Sequence, residues 1–274
     1  MTTTLRPAGP LQQGTDGEKS RTYDVCVNSR PVGTIKLAAR QVSGTWVAEI
    51  LDLRVDEPDR RRGRATVAAL AAEEVARSWG CAQIEAAVPA ATPGALQLAT
   101  ALGYAERNRH MTKPLPAEPP ALPEGVAVRP MTADEFGPWA AAAKVSYARD
   151  WIERGIPEDE ARAKADRDYD RSLPEGVASP GATLSVLVQD GETVGTLWVA
   201  ERDGDAFVYD VEVGEEHRGR GHGRTLMLLA EAQCLDTGKD HIGLNVFAGN
   251  TPALRLYESL GYEPVSYFVY KPLL

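Results

Sequence analysis

The chain repeats itself. Residues 49–115 align with residues 207–273 at a constant offset of 158 and without a gap, giving 22 identities in 67 positions. Such a repeat constrains the fold before any local feature does, because each copy must be a packing unit in its own right or against its twin. Matches recur in the same order: Asp52 with Asp210, Val55 with Val213, Arg60 with Arg218, Gly63 with Gly221, Gly80 with Gly238, and Leu102-Gly103-Tyr104 with Leu260-Gly261-Tyr262. Both copies finish on Lys-Pro-Leu. Upstream, Val32-Gly33-Thr34 pairs with Val194-Gly195-Thr196 at an offset of 162, so the intervening hairpin is four residues longer in the first copy.

Residues 116–125, PAEPPALPEG, carry four prolines and no periodicity, which predicts a stiff extended linker between two domains, 21–115 and 126–274. Residues 1–20 are polar and are expected to be disordered. A net charge of −9 argues against a nucleic-acid partner, whose phosphates demand a surplus of Lys and Arg. No apolar run approaches the ~20 residues needed to span a bilayer, and the N-terminus has no secretory pattern, so a cytoplasmic protein without a membrane partner is expected. Cys26, Cys81 and Cys234 lack metal-ligand or disulfide spacing and are read as reduced, buried thiols; no cluster has the spacing of a metal site.

In the second copy, Val126–Arg129 reads as a strand, and Thr132 with Glu135 as a capping box opening a helix. A second helix is predicted from Pro157 to Ser172. Residues 183–189 and 193–200 are β-rich around Asp190-Gly191, a hairpin signal, and 207–213 continues the meander. A helix over 221–237, a strand over 242–247, a helix over 251–260 and a strand near 267–271 complete the order β-α-α-β-β-β-α-β-α-β. The fold class is α/β in α+β layers, a mixed sheet flanked by helices.

Between strand and helix stands Val213-Gly-Glu-Glu-His-Arg218-Gly219-Arg220-Gly221-His222-Gly223-Arg224. A helix N-terminus offers unpaired N–H groups and partial positive charge, and glycines let a phosphate approach the backbone. Arg218, Arg220 and Arg224 add charge to this anion cradle.

These residues resemble the signature of the GCN5-related N-acetyltransferases, Arg/Gln-x-x-Gly-x-Gly/Ala, here Arg218-Gly219-Arg220-Gly221-His222-Gly223. The second family mark appears as Asn250-Thr-Pro-Ala253-Leu-Arg-Leu-Tyr257-Glu-Ser-Leu-Gly261-Tyr262. The resemblance covers residues 126–274 and, in weaker form, 21–115. It implies an acyl-CoA co-substrate held without metal: pyrophosphate on the cradle, pantetheine against the main chain of Val211 and Val213 in a slot near Asn245, Asn250 touching the cofactor, and Tyr257 as general acid to the departing thiolate. For a general base, Glu212 is the candidate and Asp210 a rival; Glu212 faces away from Val211 and Val213 by strand alternation.

The first copy keeps Arg60-Arg-Arg-Gly63-Arg-Ala65, a second candidate CoA site, but has Ala99, Ala87 and Thr92 where the second has Tyr257, Asn245 and Asn250. Nothing in it corresponds to the strand and two helices that open the second copy, so it is expected to be truncated and non-catalytic. The expected activity is acyl transfer, from acetyl-CoA or another acyl-CoA, to a primary amine of a small molecule or peptide. The tandem arrangement is similar to that of mycothiol synthase, although the truncated first half departs from it. Acylation of an antibiotic or a peptide N-terminus, and a non-catalytic acyl-CoA sensor or scaffold, are the alternatives. The chain is expected as a monomeric pseudo-dimer or a homodimer. Residues 150–175 carry nine acids and five bases, which favours a cationic acceptor.

Overall fold

The computed structural model describes residues 2–42 and 44–273. It divides into two compact units, and neither ends where the sequence copies end: the first comprises residues up to Arg109 together with Val265 onward, the second His110–Pro264.

The second unit opens with β7 (Ala105–Pro114), of which residues 110–114 belong to it, followed by β8 (Val126–Pro130), α3 (Ala133–Ile152) and α4 (Glu158–Ser172). The Thr132 hydroxyl accepts from Glu135 N–H while the Glu135 carboxylate accepts from Thr132 N–H, the reciprocal capping box that starts α3. Arg129 clamps the same carboxylate at 2.7 and 2.6 Å; this guanidinium and the Thr132 bonds hold the Glu135 carboxyl down to about 2. Next come β9 (Ala182–Gln189), β10 (Glu192–Arg202) and β11 (Asp205–Val213). The turn between β9 and β10 has Asp190 and Gly191 at φ 52° and 82°, the two left-handed residues that match a hairpin to strand twist. Then follow α5 (His222–Asp236), β12 (His241–Phe247), α6 (Thr251–Ser259) and the start of β13 (Glu263–Pro272). The sheet of this unit runs β7-β12-β11-β10-β9-β8, with β11 and β12 parallel. One face carries α5, with Leu226 and Met227, and α6 over Leu187, Leu197, Ile242 and Leu244; the other carries α3, with Trp139, and α4, with Tyr169, over Leu184, Val186 and Trp198.

The first unit is built from β1 (Thr3–Pro7), β2 (Gln12–Gln13), β3 (Lys19–Val27), β4 (Arg30–Val42), β5 (Thr45–Val55), α1 (Arg64–Ser78), β6 (Gln83–Pro89) and α2 (Pro93–Ala101). Its sheet order is β1-β3-β4-β5-β6-β13, with β2 beside β3. Residues 2–20 are therefore not the disordered arm expected from their polarity: β1 pairs antiparallel along β3, and Leu5, opposite Val25, packs against the buried cluster that holds Tyr23, Val25 and Ile35. β1 thus lies beside β3 as β8 lies beside β9, so the opening strand does have a counterpart in the first copy, and only the two helices lack one.

The last strands are exchanged. β13, which follows the second copy in sequence, pairs antiparallel with β6 from Ser266↔Pro89 to Pro272↔Gln83. β7, which follows the first copy, runs beside β12, with Thr112 Oγ1 donating to Ile242 O at 3.2 Å and Leu115 N–H to Asp240 O at 2.7 Å. Each exchanged strand is fixed by an equivalent buried ion pair: Lys113 with Glu231 in the second unit, Lys271 with Glu73 in the first. The proline-rich segment is accordingly not a free linker between domains, since Leu115 and Leu122 pack on the core of the second unit. The repeated Val-Gly-Thr has a steric cause. A Cβ on Gly195 would lie 2.5 Å from Glu212 O, and one on Gly33 2.1 Å from Arg54 O, distances no side chain tolerates.

Candidate active site

In the second unit the parallel ladder between β11 and β12 runs from Ala206↔Ile242 to Val208↔Leu244 and stops. A register shift on β10 between Trp198 and Val199 puts Tyr209 in a bulge at this point, and bulges bend a strand away from its neighbour. Gly214 N–H donates to Val194 O at 3.1 Å, so antiparallel alternation turns the amide groups of Val211 and Val213 away from β10, toward the side where β12 offers no ladder partner. A slot between two strands is the result. The Val213 carbonyl in it accepts from Arg218 Nε at 3.2 Å. Arg218 thus braces the turn from the strand side.

Gly219 and Gly221 both sit in the left-handed region, at φ 76° and 92°, and α5 starts on Gly221 with no side-chain cap, unlike α3 and α6. Its first N–H groups have no intrahelical acceptor, which leaves an anion cradle at the end of the slot. Gly223 lets the first turn approach α6: a Cβ there would lie 3.2 Å from Leu256 Cδ2. Arg220 is exposed without a side-chain partner among the described residues, and Arg224 donates to Ser259 Oγ at 2.6 Å. His222 is buried edge-on to His217 at 6.3 Å, and burial first, then His217 and Arg220, lowers its pKa and keeps it neutral.

Tyr257 lies on the buried face of α6, its ring 6.0 Å from that of Tyr262. Burial, and then the charge of Asp210, push its phenol up to about 12, so it remains protonated at neutral pH. Asn250 is the N-cap of α6, accepting from Ala253 N–H at 3.2 Å; its side-chain oxygen is engaged in starting the helix that carries Tyr257. Asn245 is half-buried on β12 beyond the last ladder pair.

Asp210, the rival candidate, differs from Glu212 in its surroundings. Its Cα is opposite Trp198 on β10, and its Oδ2 is shut off from solvent with no hydrogen-bond partner. Loss of solvent, and then the charge of Glu212, raise its carboxyl to about 7; the nearby Trp139 indole opposes the shift only in part. Glu212 is exposed two residues on. Both carboxylates raise the pKa of Tyr169, which places them on the face covered by α3 and α4. The wall there is aromatic: Tyr169 lies 5.3 Å from Trp198 and 6.2 Å from Trp139, and Trp198 stacks on Tyr209 at 4.7 Å. The signal available in the sequence was the Asp52–Asp210 match, which treats the two residues alike although their surroundings differ.

The first unit repeats the framework with different side chains. Its parallel ladder stops at Ile50↔Ala86, its bulge recurs between Lys36 and Leu37, and Arg60 Nε donates to Val55 O at 2.9 Å. Gly63 starts α1 at φ 72°, again with no side-chain cap, but Arg61 stands in the left-handed region at φ 56° where the second unit has Gly219. Ala65 occupies the place of Gly223 and Ala99 that of Tyr257. Lys36 and Thr22 replace Trp198 and Leu184, and Asp52 is ion-paired to Arg54 at 3.0 Å.

The sequence model of the Acetyltransferase (GNAT) family matches residues 5–104 and 145–262. A mycothiol acetyltransferase of Clavibacter michiganensis subsp. michiganensis is 30% identical over 267 residues, covering 94% of this chain and 77% of that one. The uncharacterized N-acetyltransferase YycN of Bacillus subtilis is 28% identical over 155 residues, 54% of this chain and 99% of its own. Among solved structures, a GCN5-related N-acetyltransferase from Sphaerobacter thermophilus shares the fold at a TM-score of 0.53 and 20% identity, covering 92% of this chain and 80% of that one. With the family matched once in each half, the chain belongs to the GNAT family of N-acetyltransferases, as a two-domain member.

Proposed function

We propose that the second unit transfers an acetyl or other acyl group from acyl-CoA to a primary amine by direct attack, in the cytoplasm. The observation that carries this reading is the coincidence of three features at the C-terminal end of β11: an unpaired strand edge, an uncapped glycine-started helix, and Tyr257 in the buried cluster against which Val211 and Val213 pack. The cradle from Gly219 to Gly223, with Arg220, fits a pyrophosphate, and the Val211 and Val213 main chain fits an extended amide-bearing arm. Bound there, the co-substrate supplies an activated acyl carbon.

Asp210 accepts a proton from the acceptor ammonium, directly or through water, and so frees the nitrogen lone pair. Nitrogen bonds to the acyl carbon as the C–S bond breaks, the sulfur takes the phenolic proton of Tyr257, and the second proton shed by the acylated nitrogen returns through water to the phenolate. Glu212, the candidate base of the sequence, acts here on Asp210 by raising its basicity. The first unit, with Ala99, holds no proton donor at the equivalent place; Arg60, Gly63 and Ala65 give it a CoA-binding role without turnover.

Incubation with acetyl-CoA and an amine panel, following free thiol, tests the reading. Turnover that collapses in Tyr257→Phe supports it; tight CoA binding with no turnover by any amine supports a sensor instead. A mycothiol-type amine acceptor is a second reading, favoured because the Clavibacter michiganensis relative aligns with 94% of the chain.

A further inference from the structure

Resting on that reading, we infer that Arg154 is a positioning residue for acyl transfer: it pins the end of β12 and the turn into α6, and so holds Tyr257 in line with the slot. β12 leaves its ladder with β11 after Leu244, so residues 245–247 are not held from that side. They form the far wall of the slot and lead through Ala248 and Gly249 to Asn250, the N-cap of the helix that carries Tyr257. The end of α3 reaches this wall. Arg154 Nη2 donates to Ala248 O at 2.8 Å, and its guanidinium carbon lies over the Phe247 ring, 4.3 Å from the centroid. The other arm of the fork, Nη1, donates to Asp150 O and stands 3.5 Å from the Asp150 carboxylate, which orients the group from within its own helix. Trp151, three residues earlier, meets Phe247 edge-on at 5.4 Å.

The Arg154 side chain is only 12% exposed, so both contacts are made largely out of water, where a charge-assisted bond and a cation over a ring are strongest. Only a planar fork makes both at once; a lysine supplies the charge without the geometry. Near its start the same helix sets the Trp139 indole beside Asp210 on β11, so α3 touches both walls of the slot. In the first unit Pro89 and Ala90 stand where Phe247 and Ala248 do, Ala99 stands where Tyr257 does, and no covering helix follows β1 among the described residues. The latch and the proton donor are present together and absent together.

The test compares the full chain with Arg154→Ala and Arg154→Lys. Thiol release from acetyl-CoA with an amine panel is expected to show kcat lowered roughly 10–100-fold in Arg154→Ala, the loss that follows a misplacement of about 1 Å. CoA affinity by calorimetry is expected to stay nearly unchanged, because the cradle is built on β11 and α5. Hydrogen exchange over residues 247–254 is expected to quicken while residues 182–202 keep their protection. Methylguanidine at millimolar concentration is expected to restore part of both signals in Arg154→Ala and to change neither in wild type, and Arg154→Lys is expected to fall between the two. Where Arg154→Ala fails to fold, Phe247→Leu decides, with losses of the same sign and smaller size. A wild-type kcat, or a lowered kcat with residues 247–254 still protected, overturns the inference and leaves acyl transfer standing. Losses that methylguanidine does not reverse assign Arg154 to general packing and also overturn it. If wild type releases no thiol with any amine, acyl transfer is overturned and exchange alone decides the latch: deprotection reversed by methylguanidine keeps it, and unchanged protection overturns it.

Discussion

Lys113 donates to both carboxylate oxygens of Glu231, at 2.9 and 2.8 Å, and Glu231 is 1% exposed. The pair joins the exchanged strand β7 to the helix behind the cradle. Removing one partner of such a pair strands a buried charge, which costs about 3–5 kcal/mol, whereas replacing both by apolar groups is close to neutral. Glu231→Ala should lower stability by that amount in urea unfolding, and Lys113→Met with Glu231→Leu should recover most of it.

A chain ending at residue 262 loses β13 and leaves β6 as an open edge in the first unit. It also strands Glu73, whose carboxylate is bonded by Lys271 at 2.9 and 2.8 Å. Hydrogen exchange should show loss of protection over residues 83–89 in the shortened chain, while residues 182–213 of the second unit stay protected.

Tyr257→Phe removes the proton donor and keeps the ring that packs on Tyr262. Steady-state assays should show kcat reduced by roughly 10²–10⁴, the range for general acid catalysis, with little change in CoA affinity. A rise in KM with kcat unchanged would assign the phenol to binding.

Asp210 supplies a pH dependence of defined sign. Its folded pKa, about 7, lies above the ordinary 3.8, so the folded chain holds the proton more tightly than the unfolded chain. Stability from this group is present at low pH and falls as pH rises from about 4 to about 7. Activity runs the other way, since only the ionised form accepts a proton: kcat/KM should rise with a limb near 7. Asp210→Asn should remove both the limb and the stability slope, and Glu212→Gln should move the limb to lower pH by withdrawing a like charge.

Arg61 is held at φ 56°, a conformation that costs an L-residue roughly 1–2 kcal/mol, part of which glycine gives back as chain entropy. Arg61→Gly should raise stability by about 0.5–1 kcal/mol in thermal melts. Gly219→Arg at the equivalent turn of the second unit should lower it and weaken CoA binding.

Much of the fold was legible because local signals agreed with one another. Thr132 and Glu135 gave the start of α3, Asp190-Gly191 the β9–β10 hairpin, and Gly221 the start of α5. The strand exchange was not legible, and the repeat itself explains why: β7 and β13 both end on Lys-Pro and both present a lysine to an equivalent glutamate, so either could close either unit. Their chemistry is the same, and the choice lies in chain connection. Residues 3–7 were misread because polarity outweighed one leucine, Leu5, that finds a core to enter. At the site, strand alternation separated Glu212 from Val211 and Val213, but the bulge at Tyr209 and the walls that desolvate Asp210 come from residues distant in sequence: Trp139, Tyr169 and Trp198.

The exchange also sets an order in time. During synthesis the first unit emerges with β1 through β6 made and its closing strand still unmade, behind all of the second unit. Domains ordinarily fold in the order they leave the ribosome. Here the half that is translated first is the last to be finished, and through that interval β6 is an unpaired edge, the stretch where a chaperone would be of most use.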